Sequence, residues 1–155
     1  MNDLEQVTAF LASQSTLTLA TVSDDGNPHA TPLFYLLSGG FELYWLSSAS
    51  SLHSLNLARN REASAAVYCA TECWEQIRGV QMQGAAQLVN EPLERESVLV
   101  QYIRRFHLGV SFQSVIQESC LYKFIPCQVT CVDNSKGFGY KYDIFLPRID
   151  SKTAT

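Results

Sequence analysis

Residues 47–61 hold the densest set of reactive groups in this chain: Ser47-Ser48-Ala49-Ser50-Ser51-Leu52-His53-Ser54-Leu55-Asn56-Leu57-Ala58-Arg59-Asn60-Arg61. Five serine hydroxyls and one imidazole crowd together there, with no carboxylate among them, although the chain carries a formal net charge of -4. The stretch follows an apolar, strand-like run, Phe41-Glu42-Leu43-Tyr44-Trp45-Leu46. A helix that starts at such a corner offers unpaired backbone N–H groups and the positive end of its dipole, which together favour an anion. The corner therefore reads as a phosphate cradle. If Ser50 or Ser51 caps the helix, His53 lies in the first turn. Arg59 is then about 9 Å further along the axis, at about 1.5 Å per residue, too far to share the same phosphate. The same residues also fit a capped surface helix in a Ser-rich loop, with His53, Asn56 and Asn60 as a polar stripe opposite Leu52 and Leu55.

The elements that must position this corner are legible as patterns. Leu4, Val7, Phe10 and Leu11 make one apolar stripe of a first helix, with Asp3 as its cap. Thr16–Val22 is strand-like, Asp24-Asp25-Gly26-Asn27-Pro28 is a turn, and Thr31–Leu37 resumes a strand. Ser38-Gly39-Gly40 turns the chain into Phe41–Leu46, which completes an antiparallel meander. A short helix over Ser51–Asn60 and a strand over Ala63–Cys69 follow. Along Arg78–Val89, Val80, Met82, Ala86 and Leu88 share one parity, and Gln81, Gln83 and Gln87 share the other. Asn90-Glu91-Pro92 opens a helix through Leu99, Tyr102, Ile103 and Phe106, with Gly109 as its stop. A helical turn over Phe112–Glu118 precedes two strands, Leu121–Ile125 and Gln128–Val132, and Tyr140–Leu146 can add one more. Six to seven strands without strict βαβ alternation predict a mainly β (α+β) fold, a closed or partly closed antiparallel barrel with peripheral helices.

Composition sets the bounds. At 155 residues, 46% hydrophobic and 17% charged, the chain fits a single domain over residues 1–155 with a sizeable core. A sequence pI near 5.3 argues against a nucleic-acid partner, which needs a basic face. Acidic residues at the N-terminus and the lack of a long apolar run predict neither a secretory signal nor a membrane partner. Five cysteines are an odd number, ill suited to a disulfide framework, so a cytoplasmic protein with reduced core thiols is expected. The spacings Cys69-x-x-x-Cys73 and Cys127-x-x-x-Cys131 do not suit a zinc site, and no metal site is expected.

Two segments carry a resemblance. Asn27-Pro28-His29-Ala30-Thr31-Pro32-Leu33-Phe34-Tyr35, then Leu43-Tyr44-Trp45-Leu46-Ser47, then His53-x-x-Asn56-Leu57-x-x-Asn60, resemble the pyridoxamine-phosphate-oxidase-like family of FMN-binding split barrels. Further on, Ile77-Arg78-Gly79-Val80-Gln81-Met82-Gln83-Gly84, Arg104-Arg105-Phe106 and Val132-Asp133-Asn134-Ser135-Lys136-Gly137-Phe138-Gly139-Tyr140-Lys141 resemble the bacterial YhbP-like branch of that superfamily, which brings a fold and no reaction. The resemblance implies FMN as cofactor, a small-molecule substrate, an oxidoreductase role and a homodimer with two equivalent flavin sites. It implies a cofactor-binding set of Thr31, Pro32, Leu46, Ser47, Ser51, Leu52, His53 and Gly79. Three of these depart from the family pattern. Leu52 and His53 stand where basic residues are usual, and Gly79 stands where better-known members place a flavin-contacting Gln. No side chain stands out as a catalytic acid or base. Relatives of this fold also bind haem, for which His29, His53 or His107 can supply a ligand; a cofactor-free interaction protein on the same barrel is the remaining alternative. Outside that role, His29 and His107 read as surface or capping residues. The Asp133–Gly139 turn and its neighbouring aromatics fit a loop over a ligand or a subunit contact equally well.

Overall fold

A computed structural model describes residues 2–146. Eight strands form one antiparallel sheet: β1 Thr16–Val22, β2 Pro28–Phe34, β3 Leu36–Ser38, β4 Glu42–Ser47, β5 Glu62–Tyr68, β6 Arg78–Leu88, β7 Cys120–Asp133 and β8 Lys141–Ile144. Seven of them run in the order β2-β1-β5-β6-β7-β4-β3, and β8 pairs with the second half of β7. Strands β2 and β3 are the two edges of this sheet, yet only Tyr35 separates them in the chain. One residue spans a few ångströms. The sheet must therefore curl until its edges meet, and the seam between them stays open because no ladder joins β2 to β3. That geometry is a split barrel. Tyr35 anchors the seam: it is 1% exposed, its N–H donates to Ser15 O (3.0 Å), and its hydroxyl donates to Leu11 O (2.6 Å).

Alternation puts the core inside the curl. Leu17, Leu19, Val67, Met82, Phe124 and Val129 pack there with Leu43 and Trp45, under α1 (Asp3–Ser13), which contributes Val7 and Leu11. The cap of α1 is Asn2 rather than Asp3, through a capping box with Glu5 at 2.9 Å in both directions. A second cluster, with Leu36, Tyr44, Val98, Tyr102 and Leu121, seats α3 (Pro92–Phe106) on the back of β3 and β4. That helix ends at His107, in the left-handed conformation with φ 52°, before the expected Gly109. It is followed by a 3₁₀ turn and α4 (Gln113–Glu118).

The two strands expected over Leu121–Ile125 and Gln128–Val132 are one continuous strand, β7. A register shift opposite Gln83/Gly84 inserts Cys127 between the Gly84↔Pro126 and Gln83↔Gln128 pairs. This bulge accommodates the missing N–H of Pro126 and flips the inward parity from Tyr122 and Phe124 to Val129 and Cys131. It also turns Cys127 out to solvent, so the thiols are not uniformly buried: Cys131 is in the core, Cys73 and Cys127 are exposed, and all five are free.

Candidate functional site

The corner between β4 and α2 (Leu52–Arg59) sits at one end of the seam. Ser47 is the last residue of β4 and shares the inward parity of Leu43 and Trp45. Its hydroxyl lies 2.7 Å from His53 Nε2, and both side chains are buried. Ser51 is the N-cap of α2, but it makes no side-chain cap bond. Its hydroxyl instead donates to Ser48 O (2.8 Å) and lies 2.7 Å from Ser54 Oγ and 3.2 Å from His53 Nε2. The first-turn amides of α2 thus have no side-chain acceptor, and the first turn carries no acid. Hydroxyls aim inward while the helix end stays uncapped.

The amphipathic reading of α2 is corrected. Its polar stripe is the buried one: His53, Ser54 and Asn56 face inward with Leu57, whereas Leu52 and Leu55 are each 51% exposed. The helix packs on β1, β2 and β6, and Asn56 Nδ2 donates to the buried Thr21 hydroxyl at 3.0 Å. Asn60 serves as the C-cap. Polar side chains are tolerated inside because each finds a partner.

Strand β2 supplies the other lip of the seam. Its burial alternates, with His29, Thr31 and Leu33 half-buried and Pro28, Ala30, Pro32 and Phe34 exposed. Thr31 Oγ1 lies 2.7 Å from His29 Nε2, and His29 stands opposite Thr21, the acceptor of the Asn56 bond. Burial pushes the His53 imidazole below its usual pKa, and the nearby His29 pushes it the same way. His29 is half-buried on this edge strand, with its ring against the Thr31 hydroxyl. The i, i+2 spacing of His29 and Thr31 on a strand was the signal that they share a face.

The expected set divides into two places. Ser47, Ser51, His53 and Thr31 gather along the seam. Leu46 points to the opposite face of β4, against the α3 cluster, and the exposed side chain of Leu52 leaves the corner. Pro32 and Gly79 lie on the outer face of the sheet. Gly79 pairs with Tyr68 on β5, and three strand spacings, roughly 14 Å, part it from β2. A Cβ at Gly79 would sit 3.0 Å from Val67 O and 3.2 Å from Tyr68 Cβ. That outer face holds a shallow cavity of about 330 Å³ over Thr18, Ala20, Ser64, Ala66, Gln81 and Thr130. Among the described residues, no three metal-ligating side chains come together, and no helix is long and apolar enough to cross a membrane.

A curled antiparallel sheet with an open seam and peripheral helices defines the class of split barrels by architecture. The chain belongs to the pyridoxamine 5'-phosphate oxidase family, whose profile matches residues 4–130. It is 27% identical over 141 residues to a UPF0306 protein of Cronobacter sakazakii (strain ATCC BAA-894), covering 91% of this chain and 94% of that one. Among solved structures it is similar to the conserved hypothetical protein Rv2991 from Mycobacterium tuberculosis, with a TM-score of 0.75 and 23% identity over 99% of this chain and 95% of the other. It is also similar to a heme binding protein from Mycobacterium smegmatis, with a TM-score of 0.76 and 21% identity, covering 94% of this chain and 58% of that one.

Proposed function

We propose that the chain binds FMN with its phosphate at the seam, against Ser47, Ser51 and His53, and with Thr31 on the facing lip. One observation carries this reading: a buried Ser47–His53 pair at a strand-to-helix corner whose helix has no side-chain cap. Helix N–H groups and hydroxyls are the donors a phosphate monoester needs. Bound flavin supplies electron transfer between a small organic substrate or reduced nicotinamide and an acceptor, while the protein orients it and excludes water. Two copies closing over the outer sheet face would bring Gly79 to the partner's flavin rather than to its own, which reconciles its distance from the cradle with a binding role. The grip is weaker than with a fixed cation, because Leu52 is apolar and His53 is charged only conditionally.

Titration of the purified chain with FMN, read by quenching of flavin fluorescence, tests this. Ser47→Ala should weaken FMN about tenfold, as the loss of one hydrogen bond to a charged group implies, and leave riboflavin unaffected. Equal FMN affinity in the parent and Ser47→Ala removes the corner from the site. A second reading has support of its own: two imidazoles, His29 and His53, border one seam, and the fold is shared with a heme binding protein. Saturable growth of a Soret band with hemin, lost in His53→Ala, together with no response to FMN, would favour haem over flavin.

A further inference from the structure

The phosphate reading leaves the charge of the site unexplained, because a dianion needs positive charge and, among the described residues, no Lys or Arg acts on His53, whose one charged neighbour is His29. Arg59 is paired with Asp24 at the far end of α2, and Arg61 bonds Gln87 on β6. From β1 the helix meets the uncharged Thr21, and from β2 it meets His29. Two imidazoles remain, and their placement is alike. Each Nε2 lies 2.7 Å from a hydroxyl on its own lip of the seam, His53 against Ser47 and His29 against Thr31.

Hydroxyl chemistry links these pairs to an anion. A hydroxyl has one proton to give and two lone pairs to receive. Beside a neutral imidazole that lacks a proton on Nε2, the hydroxyl spends its proton on that nitrogen and shows only lone pairs to the seam. Beside an imidazolium, Nε2–H donates to the hydroxyl oxygen, and the hydroxyl proton is free to point outward. Resting on the phosphate-site reading above, we infer that His29 is a second phosphate-site residue and that it acts as a pair with His53. When a phosphate monoester docks, protons from solvent load both Nε2 atoms, and Thr31 and Ser47 turn their own protons onto the ligand. Only protons move: each Nε2 gains an N–H bond to a proton from solvent, and no bond between heavy atoms forms or breaks. The imidazoles act through the hydroxyls as positioning residues, and anion binding is coupled to proton uptake. Burial and, after it, repulsion from His29 hold the His53 imidazole low and favour its neutral form. A dianion beside the ring opposes both influences by favouring the charged form.

Calorimetric titration of the full chain at pH 7, in buffers of different ionisation enthalpy, measures the coupling. FMN binding should take up between about one and two protons, and riboflavin none. Each of His29→Gln and His53→Gln should remove about one proton of uptake. Each should weaken FMN about tenfold at pH 6 and by less than about threefold at pH 8. FMN binding without proton uptake, or uptake unchanged in His29→Gln, overturns the inference while leaving the flavin site standing. Should FMN fail to bind at all, the flavin reading falls separately. Imidazole nitrogen NMR of the unmodified chain then decides, with inorganic phosphate as the probe. Shifts at His29 and His53 toward the imidazolium position, with the exposed His107 unmoved, support the pair; an absence of shifts overturns it.

Discussion

At the residue scale the molecule turns on side chains that are polar and buried together. His53 is held below its ordinary pKa, first by burial and then by His29. The unfolded chain therefore binds more protons than the folded one as the pH falls below the usual histidine value of 6.5. Stability from this group is complete above that value and is lost as the pH drops toward the folded value. Urea unfolding at pH 5.5 and pH 7.5 should show this loss in the parent and a smaller one in His53→Gln. Asn56→Ala strands the Thr21 hydroxyl in the interior, which should cost about 1–3 kcal/mol in the same assay. The residue types and their spacing were enough to place Ser47, Ser51 and His53 at one strand-to-helix corner. The hydroxyl partners and the pairing of His29 with Thr31 were not visible, because they depend on which lip of the seam each residue lines. The inward turn of the polar stripe on α2 went unread for the same reason. An apolar face normally marks the buried side, and here Leu52 and Leu55 face out.

At the scale of elements, β7 is the spine, since β6, β4 and β8 all pair with it. Its bulge needs Gly84 opposite. A Cβ there would collide with the Ile125 carbonyl oxygen and lie 2.8 Å from Pro126 Cα, both backbone atoms that cannot yield cheaply. Gly84→Ala should destabilise the fold by at least about 2 kcal/mol, read as a lower midpoint in thermal unfolding. Helix α3 is fastened to this spine by charge. The Tyr44 hydroxyl lies between Glu42 and Glu94, and Lys123 Nζ donates to Glu94 Oε1 at 2.7 Å. Burial pushes the Glu94 carboxyl up, but the bonds from Lys123 and Tyr44 outweigh it and hold the group below its ordinary value. The stability it contributes is present above the unfolded carboxyl value and is lost as the pH falls through the folded one. Lys123→Met should cost about 1–3 kcal/mol near neutrality, and acid unfolding should lose part of its steepness. Periodicity exposed most elements, including the two faces of β6. It failed at β7 because the bulge at Cys127 reverses the parity in mid-strand, so one strand looks like two.

At the scale of the whole molecule, an antiparallel barrel was legible from the strand number and the short turns. The expected three-strand meander is overturned: its middle strand breaks at Tyr35 into β2 and β3, and β4 pairs with β3 and β7 rather than with β2. Nothing in local composition says that strands on either side of Tyr35 become opposite edges of one sheet. The outer face over Thr18, Ala20, Ser64 and Ala66 is small-residued and shallow, and the homodimer proposal assigns it to a second copy. Ala66→Arg should leave the fold intact and give a monomer in light scattering; a parent that is itself monomeric at high concentration removes the assignment. The chain has two tryptophans, and they differ sharply. Trp74 is half in solvent. Trp45 is fully enclosed and stacked 5.8 Å from Tyr122; its indole N–H has no partner among the described side chains, and it sits two residues ahead of Ser47. Silencing Trp74 with Phe would leave an emitter in a dry, rigid setting right behind the corner. A coloured guest settling at the seam would then shorten its excited-state lifetime by energy transfer, so the protein can report its own occupancy without a label.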